Sequence, residues 1–247
     1  MSLNITSTLT DGVRRVVNRN GLVIVVAYIL FFVVWQLTSN SLLLSWVEPT
    51  NGAISTAGRP TVDAPIAAIA VGAILSLLTG QYISIVAIRT IVANQTQSIP
   101  GEYYRRNIGF VFLNMLVGTT VYLLLVALGT VLLIVPGIIA YVAFQFMNFY
   151  IAVEDESFVT ALRESWALTR GHWLKLFGLL VVFCLTLGVG LGIVSLVVSI
   201  AVNAPLGALI IGVVQMGGSV AALGVLAEAF DQLRSHEANR ADLLEAP

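Results

Sequence analysis

Asn107 to Val153 reads NIGFVFLNMLVGTTVYLLLVALGTVLLIVPGIIAYVAFQFMNFYIAV, a run without one Asp, Glu, Lys, Arg or His. A hydrocarbon core about 30 Å thick is crossed by roughly 20 helical residues at 1.5 Å rise. The run is therefore too long for one crossing and right for two, 107–133 and 136–153, joined by a tight turn. Pro136-Gly137 marks that turn. Proline is tolerated at the first helical position, where its missing N–H has no partner to lose, so Pro136 is expected to open the second helix.

Working outward, apolar stretches bounded by charge or proline recur at about 21–44 and 65–92 before this pair and at about 173–202 and 205–227 after it. Composition agrees: 58% of the 247 residues are hydrophobic, 10% are charged and the mean hydropathy is +0.95. Soluble domains carry about 25% charged residues, and 12 Lys+Arg with 13 Asp+Glu cannot coat a water-facing surface. That excludes a soluble enzyme. A net charge of −1 supplies no field for phosphates, so no nucleic-acid partner is expected. The reading is an all-α polytopic membrane bundle: a lead over 1–20, six transmembrane helices within 21–227, and a tail over 228–247. The single Cys184 excludes an intramolecular disulfide. Arg supplies every basic residue except Lys175, a bias of GC-rich, halophile-like prokaryotic sequences.

Basic residues are retained on the cytoplasmic side of span ends. Six spans put Arg14, Arg15, Arg19, Arg89, Arg105, Arg106, Arg163, Arg170, Lys175, Arg234 and Arg240 on one side and only Arg59 on the other. Removing any span scrambles this partition. The expected location is the cell membrane, multi-pass, with both termini cytoplasmic. The first apolar run is too long for a signal-peptide core and lacks a small-residue cleavage site nearby, so it is read as a span.

Between the fourth and fifth spans, Glu154-Asp155-Glu156-Ser157 precedes Phe158 to Arg170 and then Gly171. Acidic residues at the start, Arg170 at the end and a glycine beyond predict a short amphipathic helix over about 157–170. Phe158, Leu162, Trp166 and Thr169 follow three- and four-residue steps and define a stripe that faces lipid or the bundle. Such an elbow lies in the headgroup plane, with Trp166 and Trp173 as aromatic anchors and Arg163 and Arg170 facing lipid phosphates or a partner. Basic leads before the first and third spans suggest further elbows.

These residues carry a resemblance. Leu133-Ile134-Val135-Pro136-Gly137-Ile138, an apolar span, Glu154, and then Ala161-Leu162-Arg163-Glu164-Ser165-Trp166-Ala167-Leu168-Thr169-Arg170-Gly171-His172-Trp173 are similar to the membrane domain attached to some glycerophosphodiester phosphodiesterases. The resemblance covers about Leu133 to Leu180 and implies a stand-alone prokaryotic relative with six membrane helices. In the fused proteins catalysis belongs to a separate soluble barrel, for which 247 residues leave no room. Phosphodiesterase activity is not carried over.

No ionisable group falls near a span centre, which disfavours a proton- or ion-driven pump. Arg89, Glu228 and Lys175 sit at span ends and are expected to snorkel to water. The deep polar groups are amides, Gln81, Gln145, Asn148 and Gln215, which either line a polar interior or bond one another between helices. Two histidines, His172 and His236, have no metal-ligand spacing, and Ser219 has no histidine in any span to serve as its base. No catalytic residue, metal or cofactor is expected. Small residues such as Gly188 and Gly192 are expected at helix contacts within the fold or a homo-oligomer. The function expected is a non-catalytic integral membrane protein, not an enzyme. It binds lipid, or a membrane or cytoplasmic protein partner, through its elbows; the alternative is a permease, or the membrane subunit of one, for an apolar or amphipathic solute.

Overall fold

The computed structural model describes residues 4–46 and 60–245. The connection that carries Arg59 lies outside the described residues. In chain order the helices are α1 (Ile5–Val16), α2 (Arg19–Trp46), α3 (Ile66–Val92), α4 (Ile108–Leu132), α5 (Ile134–Ala143), α6 (Met147–Glu154), α7 (Phe158–Thr169), α8 (Trp173–Ala201) and α9 (Ala204–Glu245), with a short 3-10 turn at Gly101–Tyr104. Six stretches are long and apolar enough to cross a membrane: α2, α3, α4, α5 with α6, α8, and α9 as far as Glu237. The chain is a multi-pass helical membrane protein. Helices suit that solvent because each backbone N–H and C=O is satisfied within its own segment.

The packed core sits toward one end of the bundle. It joins Ile85, Ile88 and Ile91 of α3, Val111 and Met115 of α4, Phe146 and Ile151, Ala161 and Leu168 of α7, Leu176 and Leu179 of α8, and Val220 to Leu233 along α9. The opposite helix ends present bare hydrocarbon, with Val131 84% and Ile200 81% exposed. Apolar surface on that scale is covered by lipid in a membrane and by nothing in water.

Helix α9 is the central post. Phe230 packs against Phe146, Phe149 and Tyr150 at ring distances of 5.6, 5.5 and 5.1 Å. Its glycines receive neighbours: Gly212 faces Phe32 of α2, Gly218 faces Leu187 of α8, and Gly224 meets the backbone of Gly12 in α1. Gly188 and Gly192 behave otherwise. Nothing lies within 4 Å of a side chain built at either, so that step packs against no described helix of this chain.

Asn4 caps α1 by accepting from the N–H groups of Thr6 and Ser7. The helix then docks on α9, where Thr8 Oγ1 meets Gln232 Oε1 at 3.0 Å and Arg15 pairs with Glu228 at 2.7 Å and Asp231 at 2.6 Å. Glu228 therefore does not snorkel freely, because α1 brings it a guanidinium partner.

Two features of the fourth span differ from the sequence reading. The turn is the single extended residue Leu133 (φ −159°, ψ 138°), and α5 begins at Ile134, so Pro136 is its third residue. Proline is still harmless there, since the first four N–H groups of a helix have no partner within it. The span is also not one helix: α5 ends at Ala143 and α6 starts at Met147, with Phe144, Gln145 and Phe146 between.

Candidate functional site

A break inside a membrane span frees backbone groups that hydrocarbon cannot satisfy, and such a break survives only where protein supplies partners or a cavity adjoins it. Helix α7 supplies the partners. Ser165 Oγ donates to the Ala143 carbonyl at 2.8 Å and accepts the Phe146 N–H at 3.1 Å, and Thr169 Oγ1 lies 3.2 Å from the same carbonyl. Both side chains are fully buried. Trp173 Nε1 donates to Thr169 Oγ1 at 3.3 Å, and Trp166 stacks against Trp173 and Phe144 at 5.0 and 5.7 Å. The N-terminus of α7 is capped by Ser157, and Asn114 Oδ1 accepts the Phe158 N–H at 3.0 Å. Gly171 takes the left-handed conformation (φ 86°) after the helix, as its position at the C-terminus predicts.

The buried stripe of α7 is Ala161, Ser165, Leu168 and Thr169, not the stripe through Trp166. The hydrogen-bonding demand of the α5–α6 break turns the two hydroxyls inward and leaves Trp166 at the margin, 39% exposed. Arg163 and Arg170 are exposed and Trp173 is half-buried. Sequence reasoning placed Thr169 on a stripe with Trp166 and missed Ser165; the four-residue spacing of the two hydroxyls was the available signal.

A cavity of about 340 Å³ adjoins the break between α5, α8 and α9. Its polar lining is Tyr141, Gln145, Cys184, Gln215 and Ser219, set among leucines, Val225 and Phe183, and among the described residues no Asp, Glu, Lys, Arg or His borders it. Ser219 Oγ donates to the Gln215 carbonyl at 3.0 Å, and Tyr122 donates to Gln145 Oε1 at 3.4 Å. The four amides thus divide. Gln145 and Gln215 share the cavity; Asn148 Oδ1 accepts from Thr119 at 3.4 Å across the α4–α6 contact; Gln81 Nε2 is buried with no partner.

At the packed end, α6 finishes against a second polar centre. Arg89 is only 3% exposed and donates through Nε to the Ala152 carbonyl at 2.6 Å, through Nη1 to the Tyr103 carbonyl at 3.0 Å and through Nη2 to Asp155 Oδ1 at 2.8 Å. Arg106 reaches the Val153 carbonyl at 2.5 Å and Asp155 Oδ2 at 3.1 Å, and Asn107 donates to Asp155 Oδ2 at 2.9 Å. Arg89 does not snorkel to water; it is drawn inward by the carbonyls at the negative end of α6 and by the one carboxylate that follows them. Nearby, Arg234 pairs with Glu154 at 2.7 Å. Burial, with Glu154 and Glu164 adding, raises the Glu156 carboxyl above its ordinary value. His172 stacks on His236 at 5.8 Å, and burial, with His236 and Lys175 adding, holds its imidazole below the ordinary value.

Among the described residues no group of three or more His, Cys, Asp or Glu is placed to hold a metal ion. These features define a polytopic membrane protein with a stapled break in its fourth span and an uncharged cavity beside it. The chain belongs to the family described as Domain of unknown function (DUF7847), whose model matches residues 3–233. That range takes in α1, the break, the cavity and the Arg15 pairs. No curated protein and no solved structure matches the chain.

Proposed function

We propose that the protein is a non-catalytic membrane component that holds a lipid-like ligand in the cavity between α5, α8 and α9. The observation that carries this reading is the meeting of Gln145 and Gln215, seventy positions apart in sequence, in one largely apolar, uncharged cavity. Pockets of this kind, apolar with a few convergent polar groups, are where small ligands bind. The protein sits in the cell membrane with both termini cytoplasmic, an orientation supported by the arginine partition. Arg163 and Arg170 point outward beside Trp166 and contact lipid phosphates or a protein partner at that face. The chain is a stand-alone relative of the glycerophosphodiester phosphodiesterase membrane domain, a reading supported by the Leu133–Leu180 motifs alone.

The test is purification in nanodiscs of native lipid, followed by mass spectrometry of what remains bound after lipid exchange. A ligand retained by the wild type and lost with Gln145→Leu plus Gln215→Leu supports the reading. Equal retention by both removes it.

The broken fourth span favours a second reading, passage of an apolar or amphipathic solute, because discontinuous membrane helices form the midplane sites of many transporters. Solute uptake into proteoliposomes that falls with the same double substitution supports passage. Binding without uptake leaves holding as the function.

A further inference from the structure

We infer that the ligand of the α5–α8–α9 cavity is an uncharged amphiphile whose head presents an oxygen acceptor, such as an ester, ether, carbonyl or hydroxyl, to the side-chain amides of Gln145 and Gln215. This rests on the ligand-binding reading above and adds the chemical class.

The charge of the head follows from the lining. Among the described residues no side chain bordering the cavity carries a charge, and a carboxylate, phosphate or ammonium brought there would be desolvated without a counter-ion. The protein does own cations for anionic heads, but Arg163 and Arg170 lie on the exposed face of α7, away from the cavity lining.

The need for an acceptor follows from counting donors. Gln145 Oε1 lies 3.4 Å from the Tyr122 hydroxyl, whose one hydrogen is shared with the Tyr141 carbonyl at 3.3 Å, and among the described residues nothing accepts from the two N–H groups of Gln145, which borders the cavity. The Ser219 hydroxyl spends its hydrogen on the Gln215 backbone carbonyl, so it offers no further donor. Among the described residues no group bonds the Gln215 side-chain amide, which is exposed on the cavity side of α9. In hydrocarbon an amide N–H₂ without an acceptor is costly, and a ligand oxygen relieves both.

The apolar remainder of the lining, Leu179, Leu187, Leu191 and Val225, suits a hydrocarbon body. A volume of about 340 Å³ lies at the small end of ligand pockets. It accommodates the head and the first carbons, and the tail continues into the bilayer.

Three probes that share a decyl chain ending in a diazirine, and carry a glycerol ether, a carboxylate or a trimethylammonium head, separate the possibilities. Each is added to the protein in phosphatidylcholine nanodiscs, photolysed, and mapped by mass spectrometry. The expected result is labelling of Phe183, Leu187 or Leu191 by the glycerol ether alone, reduced about fivefold or more by Gln145→Leu or Gln215→Leu, the loss corresponding to one ordinary hydrogen bond. Equal labelling of those positions by a charged probe overturns the uncharged class and leaves the cavity as a ligand site. Labelling by the glycerol ether that is indifferent to both substitutions overturns the role of the amides. If every probe labels the outward residues Leu185 and Val189 as strongly as the cavity residues, the cavity reading and this inference fall together.

Discussion

Nη2 of Arg89 lies 2.8 Å from Oδ1 of Asp155, a carboxylate carried by a left-handed residue (φ 56°) in the turn between α6 and α7. The pair spans 66 positions and fixes α3 to the end of the fourth span at the level where Arg106 and Asn107 lead into α4. Three membrane spans, from two hairpins, therefore share one carboxylate.

Asp155→Ala should be strongly destabilising. Breaking a buried pair from one side leaves an uncompensated charge and costs about 3–5 kcal/mol; the 17% exposure of the Asp155 side chain places the expectation at the lower bound. Thermal unfolding in detergent checks it. Asp155→Asn, which keeps hydrogen-bonding oxygen but no charge, should fall between wild type and alanine. A wild-type midpoint for Asp155→Ala would mean that the carbonyls of Ala152, Val153 and Tyr103 suffice to hold both guanidinium groups.

Ser165→Ala should cost about 1–3 kcal/mol, the usual penalty for leaving a buried backbone donor unsatisfied, because Phe146 N–H loses its acceptor while Ala143 keeps Thr169. Thr169→Val should cost less, since Ser165 still serves the Ala143 carbonyl. Hydrogen exchange at Phe146 should rise in Ser165→Ala and stay slow in Thr169→Val, a contrast that a general loosening of α7 would not produce.

Hydropathy made the six apolar helices legible because a bilayer imposes one length on every span. The break at Gln145 was not legible. The stretch 136–153 has no glycine or proline near Phe144 to Phe146, and the interruption is met from outside the span, by two hydroxyls on α7. Similarly, Arg89 read as a snorkelling end residue because its counter-ion, Asp155, belongs to another hairpin. The amides were found as candidates from depth alone, but only helix rotation separates Gln145 and Gln215, which share a cavity, from Asn148 and Gln81, which do not.

Acidification should weaken the docking of the α9 tail on the α7–α8 junction through His172. Its folded imidazole is held below the ordinary value of 6.5 by burial, by His236 across the stack and by Lys175 in the first turn of α8, against smaller opposing pulls from the Arg170 backbone and Glu237. A depressed pKa means that the unfolded state binds the proton first, so the stabilisation is complete above about pH 6.5 and is lost as pH falls toward the folded value. Glu156 acts with the opposite sign, since its raised carboxyl favours the folded state below its ordinary value of 4.5 and loses that contribution as pH rises past it. The clean measurement is therefore the difference between wild type and His172→Gln. The wild type should lose melting temperature relative to His172→Gln as pH falls below about 6.5 if the histidine is responsible, and the two should stay parallel from pH 8 to 5 if it is not.

The contact between α1 and α9 makes the sharpest prediction for a single methyl group. A Cβ at Gly224 would stand 2.3 Å from the Gly12 carbonyl oxygen and 2.8 Å from Val16 Cγ1, and the backbone atom cannot swing aside as a side-chain tip can. Gly224→Ala must therefore push α1 away, breaking the Arg15 pairs with Glu228 and Asp231 that depend on that approach. Gly188→Ala meets open space, and in mid-helix the exchange of glycine for alanine is worth about 0.5–1 kcal/mol in the favourable direction. The two substitutions add the same atom to long apolar helices yet should move stability in opposite directions. Rapid hydrogen exchange across Ile5–Val16 should appear in Gly224→Ala only. Protection of α1 in that variant would mean that the helix tolerates displacement of its backbone by at least half an ångström of slack, and that charge pairing rather than close packing holds it in place.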